Sequence, residues 1–275
     1  MKTLPFKQVD VFTDKPFLGN PVAVVIGAEG LDAATMQSIA CWTNLSETTF
    51  LLKSEVADYR LRIFTPRREL PFAGHPTIGS AHAALESGFV SSKNKKLRQE
   101  CGAGILDLSV EDGKIFVKGP HPKLAPVTQI PGIGLLSAPL RVDVGPVWIV
   151  GEMADARELA ALKPDLAALA AFTDSLEASG VTLFARSDDC VAAMHVRSFA
   201  PAHGIPEDPV CGSGNLSVAA FLKSKGLLKK YGDAYVARQG AQVGRDGRIF
   251  VRIDEDGLRI GGHAVTCVEG TVRTA

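Results

Sequence analysis

Residues 6–12 alternate apolar and polar positions with the period of a half-buried strand, and 21–26 (Pro-Val-Ala-Val-Val-Ile) form the unbroken apolar run of a fully buried one. Asp32 is placed to cap a helix that carries Met36, Ile39, Ala40 and Thr43 on one face. Strand patterns at 49–52 and 59–65 lead into a glycine-bearing turn and an apolar helix over 74–85. Short strands follow at 97–101, 105–110 and 115–118, the last two joined by Glu-Asp-Gly, a hairpin signature. Residues 119–132 hold four prolines and no periodicity, which predicts an interdomain linker. Beyond it the order recurs: strands over 140–150, a helical stretch over 154–172 broken at Pro164, strands at 181–186 and 191–199, a second glycine turn and apolar helix, then strands to the end.

The two glycine turns are versions of one another. Sliding the chain by 138 positions pairs Glu69 with Glu207, Pro71 with Pro209, Ala73 with Cys211, Gly74 with Gly212 and His75 with Ser213. At an offset of 133, Asp32 falls on Asp165, Ser46 on Ser179 and Thr49 on Thr182; near the ends of the halves, Asp-Gly-Lys-Ile-Phe-Val-Lys (112–118) returns as Asp-Gly-Arg-Ile-Phe-Val-Arg (246–252). Two related domains are the simplest explanation, over 1–122 and 123–275. The last strands have no partner in the first half and either complete the second sheet or return to the first domain. A helix apolar on nearly all sides belongs in the middle of a domain, with a curved sheet around it. The expected class is α+β: two pseudo-symmetric domains, each a barrel-like, mostly antiparallel sheet around a central helix.

Composition narrows the function. At 275 residues and 46% hydrophobic the chain is long enough for two cores, and thirty basic against thirty acidic residues give no net field to attract nucleic acid. No apolar run is long enough to span a bilayer, and the start of the chain reads as a strand rather than a signal segment, which predicts a cytoplasmic protein. Five scattered cysteines without a Cys-x-x-Cys pair fit reduced thiols rather than a disulfide framework or a zinc cage. No metal or nucleotide motif occurs, so any chemistry has to come from side chains.

Four places invite it. Glu47 stands between two hydrophobic elements, and the repeat sets Gly180 opposite it, so only one half carries the carboxylate. Read from position alone it is an exposed loop acid; in a crevice, desolvation makes it a proton shuttle. His75 and Ser213 stand at matching helix starts, where unsatisfied N–H groups and the helix dipole attract anions such as a carboxylate. Asp208, before Pro209, closes a turn or assists chemistry, and Cys211, at a helix start, is a candidate for a lowered pKa and a role as base. Asn20, in Leu-Gly-Asn-Pro, lies in a turn whose backbone can reach a ligand.

Four blocks in fixed order resemble one family: Phe-x-x-x-x-Phe-x-Gly-Asn-Pro-x-Ala-Val-Val from Phe12, Asn-Leu-Ser-Glu-Thr-Thr-Phe from Asn44, Thr-Pro-x-x-Glu-Leu-Pro-Phe-Ala-Gly-His-Pro-Thr-x-Gly from Thr65, and Glu-Asp-Pro-Val-Cys-Gly-Ser-Gly-Asn from Glu207. Together they look like the phenazine biosynthesis PhzF-like isomerases, over essentially the full length. The resemblance implies the diaminopimelate epimerase-like fold and a cofactor-independent enzyme, often a homodimer, with its active site in the cleft and a small carboxylate-bearing substrate. It assigns Glu47 to the proton transfer, sets His75, Asp208 and Ser213 in the site, and gives the backbone at Gly74, Gly212 and Gly214 to the substrate carboxylate. The chain departs from the family's best-known member at Cys211. A cysteine there is similar to the related amino-acid epimerases, but those need one in each half and this chain has Ala73. Three functions are therefore expected to compete: a proton-shifting isomerase using Glu47, an amino- or hydroxy-acid epimerase or lyase using Cys211 with Glu47, and a non-catalytic anion-binding protein.

Overall fold

The computed structural model describes residues 2–187 and 190–274. In order the elements are β1 (Lys2–Val11), β2 (Asn20–Ile26), α1 (Ala33–Thr43), β3 (Thr48–Leu52), β4 (Tyr59–Phe64), β5 (Glu69–Leu70), α2 (Gly74–Glu86), β6 (Lys96–Cys101), β7 (Gly104–Glu111) and β8 (Lys114–Lys118). They continue as β9 (Lys123–Pro126), β10 (Leu140–Asp143), β11 (Val147–Glu152), α3 (Ala156–Ala161), α4 (Leu166–Ser175), β12 (Gly180–Arg186), β13 (Met194–Ala200) and β14 (Ile205–Asp208). Last come α5 (Gly212–Ser224), α6 (Leu228–Tyr231), β15 (Ala234–Gln239), β16 (Gly247–Asp254), β17 (Gly257–Gly262) and β18 (Ala264–Thr274). The chain divides into two compact units, Met1–Lys118 with Gly261–Ala275, and Gly119–Ile260.

In the first unit β1 lies antiparallel between β2 and β18, with Val9 opposite Val22 and Leu4 opposite Val272. β2 runs parallel to β3, which explains its unbroken apolar sequence: parallel strands are covered on both faces. β3 then pairs antiparallel with β4, and β4 runs antiparallel to β5 and parallel to β6. The β7–β8 hairpin turns at Asp112 and Gly113, both at positive φ, as a two-residue Asp-Gly loop requires.

The second unit uses the same order of senses. β10 pairs antiparallel with β9 and β11, β11 runs parallel to β12, β12 antiparallel to β13, and β13 antiparallel to β14 and parallel to β15. Asp32 and Asp165, which the repeat pairs, cap α1 and α4 with their carboxylates. One expectation is corrected here. The proline-rich 119–132 stretch is not all linker, because Lys123–Pro126 forms β9 and pairs with β10 inside the second unit. Its Pro126 donates nothing to the ladder, which suits an outer strand.

Each unit is built around one buried helix. Along α2 nine residues from His75 to Ala84 are buried, and along α5 ten from Gly212 to Leu222. α2 packs against β1, β2, β3, β8 and β18, and its seat is close: a Cβ on Gly79 would lie 2.4 Å from a methyl of Val22 and 2.8 Å from one of Val11. Overpacking of this kind costs about 1–3 kcal/mol. Gly79→Val should therefore lower the melting temperature by roughly 5 °C or more by calorimetry, and an unchanged melt contradicts this packing.

Candidate active site

Glu47 is set by the turn between α1 and β3. α1 ends at Asn44, whose backbone is left-handed (φ 55°) and whose N–H returns to the Ala40 carbonyl. Three residues later the Glu47 carbonyl accepts the Ala23 N–H of β2, fixing the residue at the mouth of the parallel β2–β3 pair. Beside it the Thr43 and Thr48 hydroxyls meet at 2.6 Å, and one turn deeper the Thr49 hydroxyl meets that of Ser80 on α2 at 2.8 Å. The strand carrying the acid and the helix carrying His75 are thus tied together by side chains.

His75 occupies the first turn of α2. Its Nε2 lies 3.2 Å from Glu47 Oε2, with side-chain exposures of 10% and 15%. The two atoms approach without the alignment of a hydrogen bond, and Oε2 accepts none among the described residues. Burial, against the opposing pull of a hydrogen bond from Ser46, raises the Glu47 pKa from 4.5 to about 7. A carboxyl with that pKa exchanges its proton readily in either direction near neutrality. Gly74 opens α2 ahead of His75, and the helix has Ala73 at its cap with no side-chain bond to the first N–H groups. Asn20 opens β2 opposite Val11 and is 2% exposed.

The second unit carries the other expected residues around the start of α5. Asp208 closes β14 and accepts the Val210 N–H on its carboxylate at 3.1 Å. Gly212, Ser213 and Gly214 form the first turn of the helix. Cys211 is its cap: the thiol sulfur accepts the Gly214 N–H at 3.2 Å, so this N–H is spent inside the turn. A Cβ on Gly214 would lie 2.7 Å from the hydroxyls of both Thr182 and Ser198, so only glycine permits this approach.

The lowered pKa expected for Cys211 is corrected. Burial, then the nearby Asp208 carboxylate, push the thiol well above its ordinary value, outweighing the helix-terminal bonds that pull it down. Sequence reasoning also missed the residues that hold this turn. Gln239 at the end of β15 accepts from the Cys211 N–H and the Asn215 side chain, and donates to the Asp208 carbonyl at 2.9 Å. Trp148 on β11 donates its indole N–H to the Ser213 hydroxyl at 2.9 Å. Neither carries a local motif, since each reaches the turn from a strand distant in sequence.

The family model described as phenazine biosynthesis-like protein matches residues 9–270. The chain is 39% identical to antisense-enhancing sequence 1 of Schizosaccharomyces pombe, covering 96% of this chain and 97% of that one. It is 34% identical to the trans-2,3-dihydro-3-hydroxyanthranilate isomerase of Pseudomonas aeruginosa, covering 92% and 91%, and further relatives are likewise named isomerases. Among solved structures, a Bacillus anthracis protein of the PhzF family superposes with a TM-score of 0.86 at 28% identity over the whole of both chains. The α+β fold expected from the motifs is the one found. By family match, by relatives along nearly its whole length and by fold, this chain belongs to the phenazine biosynthesis-like (PhzF) family and is an isomerase.

Proposed function

We propose that the protein moves a proton between two carbons of a small carboxylate-bearing substrate, with Glu47 as the group that carries it. The observation behind this reading is a single one: the Glu47 carboxyl is withdrawn from water, keeps Oε2 without a hydrogen bond among the described residues and stands 3.2 Å from the His75 ring. In its ionised form Glu47 takes the proton as a carbon–hydrogen bond breaks. The electron pair passes into the conjugated system of the substrate, and the protonated acid returns the proton at another carbon. The atoms balance without a further reactant.

His75 and Asp208 orient the substrate or assist the transfer. Ser213, with the N–H at Gly212 in the first turn of α5, takes the carboxylate. Cys211 and Gly214 shape the α5 turn, and Asn20 shapes the start of β2. The relatives named for trans-2,3-dihydro-3-hydroxyanthranilate make that compound the first substrate to assay.

Glu47→Gln should reduce turnover, and deuterium uptake into carbon from heavy water, by about a thousandfold while leaving binding within a few-fold. Mass spectrometry of the recovered substrate reads both, and deuterium uptake at the wild-type rate contradicts the assignment.

A cysteine base is disfavoured by the raised thiol pKa and by the engagement of the sulfur as a helix cap. Cys211→Ser keeps a capping atom and should retain turnover within about fivefold. A loss of about a hundredfold or more would transfer the base to Cys211.

A further inference from the structure

The two units carry different groups at matching positions. In the first, the side chain in the opening turn of the central helix is His75, and it meets Glu47 at 3.2 Å. In the second, the residue paired with His75 is Ser213, and the residue paired with Glu47 is Gly180, the first residue of β12. A Cβ on Gly180 would lie 2.1 Å from the Phe199 carbonyl oxygen and 2.7 Å from Cζ3 of the Trp148 ring. No side chain fits there. The indole of Trp148, 4% exposed and directly across the β11–β12 pair from Gly180, occupies the space and bonds Ser213.

The chemistry of that bond has a direction. An indole N–H only donates, so it fills one lone pair of the Ser213 oxygen. The hydroxyl hydrogen is then turned away from the ring, and the neighbour within its reach is the Cys211 sulfur at 3.7 Å, a weak acceptor. An anionic oxygen arriving at the start of α5 is a much better one.

We infer that Trp148 is a positioning residue that makes Ser213 a committed donor to a carboxylate, and that the Gly180–Trp148 pair replaces, in the second unit, the acid that Glu47 supplies in the first. The second unit thereby presents a hydrogen-bond donor where the first presents an acid. The inference deepens the proposed function and rests on its reading of the α5 start as the carboxylate site.

Two probe ligands separate the possibilities: anthranilate, which carries a ring carboxylate, and anthranilamide, its neutral counterpart. By titration calorimetry the wild-type protein should bind anthranilate about tenfold more tightly than anthranilamide. Trp148→Phe keeps a ring and removes the N–H; it should weaken anthranilate about tenfold and anthranilamide less than twofold. Ser213→Ala should match it, and the double variant should be no weaker than Ser213→Ala alone. Retained preference in Trp148→Phe, or losses that add in the double variant, overturns the inference while leaving the carboxylate reading in place. A wild-type protein without preference removes that reading and the inference with it. A ligand-free check stands beside these. The chain has two tryptophans, so its nitrogen–proton NMR spectrum holds two indole signals, and Ser213→Ala should displace that of Trp148 while leaving that of the exposed Trp42. An unmoved Trp148 signal overturns the hydrogen bond itself.

Discussion

Water is largely excluded from the Glu47 carboxyl, and among the described residues no hydrogen bond replaces it at Oε2. An ion in that position is disfavoured, so the folded protein holds the proton more tightly than the unfolded chain does. The sign follows directly. Below a pH of 4.5 the group is protonated in both states and costs nothing; as pH rises towards 7 only the unfolded chain gives up its proton, and stability falls. The interval between the two values corresponds to roughly 3 kcal/mol. A residue kept at that cost is explained by use rather than by packing, since glutamine would fill the same volume without it.

Everything around Glu47 serves to keep it there. The parallel β2–β3 pair fixes its carbonyl, the left-handed Asn44 brings the chain out of α1 at the right point, and the Thr49–Ser80 bond ties its strand to the helix of His75. The second unit has the same order of strands with a different outcome. Gly180 removes the side chain, Trp148 fills the space and donates its indole N–H to Ser213, and Gln239 and Cys211 lock the α5 turn. Similar scaffolds thus carry different groups at matching positions: a buried carboxyl beside a histidine in one, and a serine hydroxyl that accepts from an indole N–H in the other.

Much of this was legible in the residues. The two apolar helices announce themselves by glycine turns followed by residues without a polar face, and Asp112-Gly113 specifies its hairpin. Glu47 stood out because the repeat has glycine in its place. What could not be read depends on contacts between distant segments. A loop position does not reveal whether a carboxyl is wet or dry. At Cys211 the helix start argued for a lowered pKa, and burial, invisible in the sequence, won. The four prolines of 119–132 concealed β9, because a short outer strand tolerates a missing N–H. The last strand runs beside β1, a pairing set by residues more than 250 positions apart. Trp148 is an ordinary buried aromatic until its hydrogen bond to Ser213 is seen.

The central claim concerns one proton, and it can be observed directly. Carbon NMR of the glutamate side-chain carboxyls, with the Glu47 signal identified by its absence in Glu47→Gln, gives its titration in the folded protein. A midpoint near pH 7 is the predicted result. A midpoint near the ordinary glutamate value of about 4.3 would mean that the carboxyl is solvated, and the account of Glu47 as proton carrier would be contradicted.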